Sequence, residues 1–258
     1  MVVVIWLTMH NPELGCSSYI IADEVTGHGL VVDPLAALGV DSYVLGAQDA
    51  GVTIDLVVET HVHADHESCA SELAAALGVK HGVSVHAPAH FAHQDLSDGD
   101  LLEFGMLTVE VWETPGHTPD SISLIIRDLR RGTAPWAVLT GDSLFVGDVG
   151  RPDLADADDT AIQHAARAQH HSIHRLTSLA DGTELWPAHY GSSPCGGIFM
   201  NKSPHSTIGY ERITNPFLAM DEETFVDQTL RLLKPPPENA QELRQKNLAA
   251  AHGKDTMA

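Results

Sequence analysis

Short apolar runs recur along the chain between glycine, proline and polar segments, and such runs are typical of β-strands. The run at residues 54–59 predicts a strand that is buried on both faces. Apolar and polar positions alternate at residues 107–113, which predicts a strand with one buried face. The other runs predict strands at residues 2–7, 16–21, 29–34, 83–87, 121–127, 136–140 and 184–187.

Segments with helical spacing lie between and after these strands. Residues 160–179 place isoleucine, leucine and alanine on one face, and Asp159 or Thr160 can serve as the N-cap. Gly51 and Gly78 follow two Ala/Leu-rich segments and predict helix ends there. Residues 191–216 are predicted to be irregular. The predicted helices are 36–50, 67–77, 160–179, 222–233 and 238–251.

The order of these elements predicts the fold class. Strands come first, and helices and further strands then alternate towards a helical end. This order fits an α/β fold in which two sheets pack together and helices cover their outer faces. We therefore predict a four-layer αββα sandwich, formed by a single domain over residues 1–258 with a short helical C-terminal tail at about 222–258.

Composition narrows the range of partners. The chain has 14 basic and 35 acidic residues, and its formal charge is −21. Such a surface repels nucleic acid and anionic membranes, so we expect neither as a partner. The apolar start at residues 1–7 lacks a basic leader and a cleavage site, and the three cysteines suggest no disulfide framework. We therefore expect a cytoplasmic protein, with Cys16 and Cys69 in the core.

Candidate metal ligands follow four of the predicted strands, and none of them is a thiolate. A set of imidazoles and carboxylates suits Zn, Fe(II), Mn or Co better than a soft metal. Loops that follow neighbouring strands gather at one edge of a sheet, so these residues are expected to meet. They are His61, His63, Asp65, His66, His117, Asp142 and His189.

This ligand series resembles that of the metallo-β-lactamase-fold superfamily, over roughly residues 1–220. That resemblance implies the αββα sandwich predicted above. The segments 114–118, 140–154 and 191–196 are similar to the persulfide dioxygenases (sulfur dioxygenases), a branch related to glyoxalase II. In that branch a rhodanese domain often follows the catalytic domain. This chain ends before such a segment, so any rhodanese sulfurtransferase partner is expected to be a separate protein.

The resemblance implies a dioxygenase centre with one Fe(II) per chain. Its ligands would be His61, His117 and Asp142, with open positions for a thiol persulfide and O₂. The residues that orient these ligands and hydrogen-bond the substrate would be His63, Asp65, His66 and His189.

The alternative is a hydrolase with two Zn ions, of the glyoxalase II, lactonase or β-lactamase type. One Zn would be held by His61, His63 and His117, and the other by Asp65, His66 and His189. Asp142 would bridge the two ions, and a hydroxide would attack a thioester, ester or lactam. Because the chain contains all seven residues, their presence does not separate the two alternatives.

Further residues are candidates for catalysis or for contact with substrate. Arg151 could be a fixed cation for an anionic persulfide or a site-ordering residue, and Cys195 is either a buried thiol or a persulfide acceptor. Pocket-lining roles are predicted for Tyr210, Arg212 and Lys202. The predicted catalytic residues are Asp65, Arg151 and His189.

Other histidines are expected to be solvated. His170 and His174 are four residues apart on a predicted helix and could bind a metal adventitiously, but their face is expected to be exposed. The same holds for His86, His90 and His93, which are predicted to lie in a loop-rich region. A homodimer is possible, because helices that flank a sheet can pair.

Overall fold

Two six-stranded sheets pack face to face in the computed structural model, which describes residues 4–155 and 158–249. The first sheet is antiparallel from β1 to β3 and parallel from β3 to β6. Its strands, in spatial order, are β1 (Val4–Asn11), β2 (Cys16–Asp23), β3 (His28–Val32), β4 (Thr53–Val58), β5 (Lys80–Ser84) and β6 (Gln94–Leu96).

The second sheet is antiparallel except for one parallel pair, β10 with β11. Its strands, in spatial order, are β12 (Ser206–Thr207), β11 (Glu184–Pro187), β10 (Ala137–Gly141), β9 (Ile122–Asp128), β8 (Leu107–Glu113) and β7 (Leu101–Phe104). The helices are α1 (Val40–Asp49), α2 (Ala70–Leu77), α3 (Asp159–Leu176), α4 (Ile208–Thr214), α5 (Glu222–Leu232) and α6 (Ala240–Leu248), with a short 3₁₀ turn at Pro216–Ala219.

The apolar faces of both sheets form the central core, to which Tyr19, Leu56, Val109 and Leu124 all contribute. On the outer face of the first sheet, α1 and α2 bury a second apolar cluster. On the outer face of the second sheet, α3 and α5 bury a third. The predicted α/β sandwich of two sheets with helices on both outer faces is confirmed.

Most predicted elements are present with shifted ends. The predicted strand at 54–59 is buried except at Asp55, which points outwards and pairs with His28. The strand predicted at 83–87 lies at Lys80–Ser84, where Gly82 packs closely against Leu96. Short edge elements β6, β7, β12 and α4 have too few residues to show a period, so the sequence did not predict them.

Two predicted segments extend past the part of the chain that the structure describes. The first strand was predicted from residue 2 and the last helix to residue 251, and residues 1–3 and 250–258 lie outside the described residues. Residues 156–157 also lie outside them. Within the described ranges, no helix has the length and apolar character needed to cross a bilayer.

Candidate metal centre

The seven predicted ligands lie at one edge of the sandwich, where the carboxyl ends of four strands meet. β8 and β10 are both antiparallel to β9, and β11 is parallel to β10, so these three strands end on the same side. The loop after β4 joins them from the other sheet through a hydrogen bond from the Ile122 amide to the Thr60 carbonyl oxygen. The topology therefore brings together residues that are far apart in sequence.

Three of the seven form a compact ligand set. His61 Nε2 lies 3.6 Å and His117 Nε2 lies 3.3 Å from Asp142 Oδ2. All three atoms are buried and have no hydrogen-bond partner. Because an unpartnered buried polar atom costs free energy, three such atoms that converge indicate a bound cation. Two imidazoles and one carboxylate with open positions form the donor set of non-haem Fe(II) oxygenases.

The other ring nitrogens fix the orientation of these ligands. His117 Nδ1 donates to the Arg151 carbonyl oxygen at 2.8 Å, which leaves Nε2 as the free lone pair. His61 Nδ1 lies 3.0 Å from Thr60 Oγ1. Burial lowers the pKa of His61 and of His117, so both rings are neutral near pH 7. The residues present thus fit a metal ion.

Asp142 is the charged member of this set. Burial by itself would raise the pKa of its carboxyl, but the imidazoles of His189 and His61 outweigh burial and hold the pKa well below its usual range. Its second oxygen, Oδ1, lies 2.6 Å from His189 Nδ1. Asp142 is therefore a carboxylate that joins the ligand set to its neighbours.

Asp65, His66 and His189 form a second buried group, in which Asp65 forms ion pairs with both imidazoles, although His66 Nε2 and His189 Nε2 have no hydrogen-bond partner. Asp65 Oδ2 lies 2.8 Å from His189 Nε2, and Asp65 Oδ1 lies 3.0 Å from His66 Nδ1. Burial opposes a charge on His189, yet the carboxylates of Asp142 and Asp65 hold its pKa well above the ordinary value. Asp65 likewise outweighs burial at His66 and raises its pKa to about 10.

Cys16 joins this paired group, although the sequence suggested only a core role for it. Its Sγ lies 3.9 Å from His66 Nδ1. Cys16, Asp65, His66 and His189 each offer one ligand atom, and these atoms lie within 4.8 Å of one another. Burial would raise the pKa of Cys16, but the imidazoles, His189 first, lower it to about 7.

His63 lies between the two groups. Its ring centroid is 4.1 Å from that of His61 and 4.3 Å from that of His66. His63 Nε2 lies 3.3 Å from Asp33 Oδ1, and His63 Nδ1 is buried without a partner. Asp33 adopts a positive φ of 50° and also accepts hydrogen bonds from the Thr60 amide and hydroxyl. A single carboxylate thus positions both the start of the ligand loop and His63.

The sequence of the chain matches one family over the segment that contains all seven residues. The model of the Metallo-beta-lactamase superfamily matches residues 11–189. The chain belongs to the metallo-beta-lactamase superfamily. The predicted superfamily is therefore confirmed, and the residue groups described above are consistent with the use of a metal.

Individual members of the superfamily resemble the chain at low identity. A Bos taurus protein named "Persulfide dioxygenase ETHE1, mitochondrial" is 26% identical, over 89% of this chain and 82% of its own length. A Xylella fastidiosa "Beta-lactamase hydrolase-like protein" is 27% identical over 87% of this chain, and the chain spans only 56% of that relative.

Two solved structures have a similar backbone. The crystal structure of ETHE1 from Myxococcus xanthus has a TM-score of 0.80 and 28% identity, and the match covers 94% of this chain and 97% of that chain. A metallo-beta-lactamase from Staphylococcus aureus has a TM-score of 0.86 and 29% identity, and the match covers 96% of this chain and 73% of that chain.

Arg151 lies near the centre, but its charge is already paired. The guanidinium donates two hydrogen bonds to Asp153, at 2.7 and 2.8 Å, and further ones to the carbonyl oxygens of Pro194 and Lys234. It lines a cavity of about 610 Å³ with Gly150 and the loop at 191–197. In this geometry Arg151 connects three loops and is not a free cation.

Cys195 is buried beside the centre. One ligand atom each of Asp142, His189 and Cys195 lie within 4.8 Å of one another. Burial, followed by the carboxylates of Asp65 and Asp142, raises the pKa of Cys195 well above its ordinary value. Cys195 is therefore a protonated thiol in this arrangement.

The structure does not bring the remaining predicted substrate residues to the centre. Tyr210 is 60% exposed on α4, and Lys202 is also exposed. Arg212 donates to Asp181 and to the carbonyl oxygens of Thr177 and Leu179, which lie just after the end of α3. The guanidinium of Arg212 therefore caps carbonyl groups there.

Two residues of α6 hold the ligand loop, and the sequence did not indicate this role for either of them. Asn247 Nδ2 donates to the carbonyl oxygens of His63 and His66, at 2.9 Å each. Arg244 is buried and donates to the Val62 carbonyl oxygen at 3.3 Å. The two residues are three apart and share a helix face. The segment that forms α6 is mostly polar, so its sequence does not indicate which face packs against the ligand loop.

Gln169 of α3 is a further residue of the centre that the sequence did not indicate. Its Oε1 accepts from the His117 amide at 2.6 Å, and its Nε2 donates to the Ser143 carbonyl oxygen. Gln169 is fully buried among the apolar positions of its helix. The only sequence feature that could have indicated this role is a glutamine on the apolar face of a predicted helix.

Proposed function

We propose that this chain is a non-haem Fe(II) persulfide dioxygenase. The observation that carries the proposal is the ligand set itself: the atoms of His61, His117 and Asp142 converge without hydrogen-bond partners, and two imidazoles with one carboxylate are the donor set of non-haem Fe(II) oxygenases. The names of the ETHE1 relatives support the same function. One Fe(II) per chain is therefore proposed.

The proposed reaction consumes a low-molecular-weight thiol persulfide, such as glutathione persulfide. One persulfide, one O₂ and one water give one thiol and one sulfite with its protons, so the outer sulfur is oxidised and O₂ is reduced. Bound Fe(II) would supply the electrons that activate O₂, with coordination positions left open for it and for the substrate.

The paired group is proposed to bind the anionic sulfur and to hold protons. His66 is cationic near pH 7, because its pKa is raised to about 10 against the effect of burial, chiefly by Asp65. His66 and Asp65 line a cavity of about 380 Å³, together with Leu14, Leu35 and Leu243. A persulfide entering there would meet the His66 imidazole, whose Nε2 has no hydrogen-bond partner, beside the ligand set.

Other predicted site residues have supporting roles in this proposal. Asp65 and His189 remain proposed catalytic residues, because they hold charge and protons beside the open positions. Arg151 is proposed as a site-ordering residue, since Asp153 already neutralises its charge. Cys195 is proposed as a substrate contact, and contacts by Tyr210 and Arg212 would require substrate to reach α4.

The alternative is a binuclear Zn hydrolase of the glyoxalase II, lactonase or β-lactamase type. One observation favours it: Cys16, Asp65, His66 and His189 could also surround a second ion. The hydrolase-like names of the Xylella relatives point the same way. A second Zn would bind through His66 Nε2 and His189 Nε2, and both of these nitrogens are buried without a hydrogen-bond partner.

Metal content and oxygen uptake test the two alternatives. Iron-loaded protein should bind about one Fe per chain and consume O₂ when given glutathione persulfide, and Asp142→Ala should abolish both. Asp65→Asn should slow turnover while one Fe is retained. The dioxygenase proposal would be refuted by three results together: two tightly bound Zn per chain, loss of one of them in Asp65→Asn, and thioester hydrolysis by the Zn form without O₂ uptake.

A third possibility is a non-catalytic persulfide carrier or sensor that acts through Cys195. Cys195→Ser separates it from the enzyme, because retained O₂ uptake would exclude an obligatory cysteine. A separate rhodanese sulfurtransferase, a homodimer and a cytoplasmic location also belong to the proposal. Sulfite formation in the presence of an added rhodanese and thiosulfate would test the first of these.

A further inference from the structure

Three histidines of α3 lie against the start of α5, away from the residues assigned above to the metal centre. His170 Nε2 and His174 Nε2 are 3.1 Å apart. His171 Nε2 is 2.7 Å from Glu222 Oε2 of α5. His170, His171 and Glu222 each offer a ligand atom, and these atoms lie within 4.8 Å of one another. This group, together with His174, is called the α3–α5 cluster.

The spacing of the two imidazole nitrogens suits a shared cation. Two nitrogens that each lie about 2.0–2.1 Å from one metal ion are roughly 3.0–3.4 Å apart when they occupy adjacent coordination positions. His170 and His174 are four residues apart and therefore share one helix face. Without an ion, two neutral rings at this distance can share only one proton between their facing nitrogens.

The surroundings hold the cluster in place. The ring of His170 packs edge-on against Phe225, with 5.3 Å between centroids, and its Nε2 lies 3.1 Å from the Met220 carbonyl oxygen. Arg167 holds the other oxygen of Glu222, Oε1. The Met220 carbonyl and the Glu222 carboxylate thus place two kinds of oxygen donor beside the imidazoles.

Charge and protonation also favour a cation here. α5 begins with Asp221 as its N-cap and has Glu222 and Glu223 in its first turn, while Arg167 offsets part of that charge. Partial burial, followed by the neighbouring rings of His170 and His171, lowers the pKa of His174, so its lone pair is available at neutral pH. The whole chain carries a formal charge of −21, which attracts cations.

We propose that His170, His171 and Glu222, with His174 beside His170, form a second cation site, which takes Zn²⁺ or a similar borderline divalent ion and links α3 to α5. Imidazole and carboxylate ligands suit such ions. The sequence favoured a solvated face with at most adventitious metal binding by His170 and His174, because it did not show that α5 brings a carboxylate to these rings. The site also lies next to Gln169, which holds the His117 loop, so a bound ion would help to fix α3 beside the metal centre.

A calorimetric titration of the iron-loaded protein with ZnCl₂ tests the proposal. We expect one additional Zn²⁺ per chain, no release of iron, and a higher melting temperature with Zn²⁺ present. The double substitution His170→Ala with His174→Ala should weaken this binding by at least about tenfold. Glu222→Gln should also weaken it, and this substitution preserves side-chain size.

His164→Ala is the matched control, because His164 is exposed and lies earlier on the same helix. It should leave Zn²⁺ binding unchanged. The melting temperature of each variant without Zn²⁺ shows whether it is folded. Zn²⁺ binding only with release of iron, or equal Zn²⁺ affinity in the folded double variant and in His164→Ala, would overturn the proposal. Either result can be obtained whether or not the protein oxidises persulfides.

Discussion

Replacing Asn247 should weaken the metal centre even though this residue is not a ligand. Its amide donates to the carbonyl oxygens of His63 and His66 and accepts from the Ser68 amide, so it makes three hydrogen bonds to the ligand loop. Each such bond contributes about 0.5–1.5 kcal/mol to stability. Because the side chain is only partly buried, we expect Asn247→Ala to cost about 2 kcal/mol.

This loss should be visible in two measurements. For a chain of this size, about 2 kcal/mol corresponds to a fall of roughly 4–8 °C in melting temperature. Residues that orient metal ligands typically affect metal affinity by about 10–100-fold. Asn247 acts through the backbone of the loop, so we expect the low end, about tenfold, in a chelator competition for iron.

Two further variants make the test specific. Asn247→Asp should be more damaging than Asn247→Ala, because a carboxylate would face two carbonyl oxygens and could donate to neither. Gln245→Ala, at an exposed position of α6, should change neither quantity. If Asn247→Ala lowers the melting temperature but iron affinity stays at the wild-type value, the loop is positioned without α6 and the reasoning is wrong.

Three other changes probe the supports of the centre and the fold. Gly150→Ala should reduce bound iron per chain, measured by elemental analysis, because a Cβ there would lie 2.0 Å from the Asp142 carbonyl oxygen. Gln169→Leu should lower both melting temperature and iron affinity, since it removes the acceptor for the His117 amide. Asp23→Asn should destabilise the protein at neutral pH in urea titrations: burial disfavours its charge, but backbone amides and an arginine hold the pKa of Asp23 below its ordinary value. That stabilisation is present above about pH 4, the unfolded value, and is lost as pH falls through the lower folded value, so wild type and variant should converge in acid.

The sequence predicted the fold and the members of the centre because both depend on local patterns. Alternating apolar and polar positions mark strands such as 107–113, which has the predicted bounds in the structure. Ligand-type residues placed directly after strands predict where those residues meet. Edge elements such as β7 carry no clear period, because only one of its four residues is buried.

The residues that hold the metal ligands in place could not be predicted from the sequence, because their contacts depend on which helix and strand faces pack together. Asn247 and Gln169 lie on helices that reach the ligand loops from opposite sides of the sandwich, and nothing local to either residue indicates its contact. The role of Asp33 could not be predicted for the same reason. Its positive φ and its hydrogen bonds to Thr60 arise only when β3 and β4 lie side by side. Docking of distant elements is a property of the fold and not of a motif.

The same limit explains why the motif alone leaves the chemistry open. All seven residues occur in both alternatives, so the choice depends on what the group around Asp65 holds. His189 lies between the carboxylates of Asp142 and Asp65, and this position stabilises a positive charge, whether a proton on the imidazole or a second metal ion. A proton and a metal ion compete for the same nitrogen, His189 Nε2. Removing Asp65 would weaken the binding of either. The metal count of the wild type and of Asp65→Asn therefore separates the alternatives: one metal retained in both excludes a second ion, and loss of one of two identifies it.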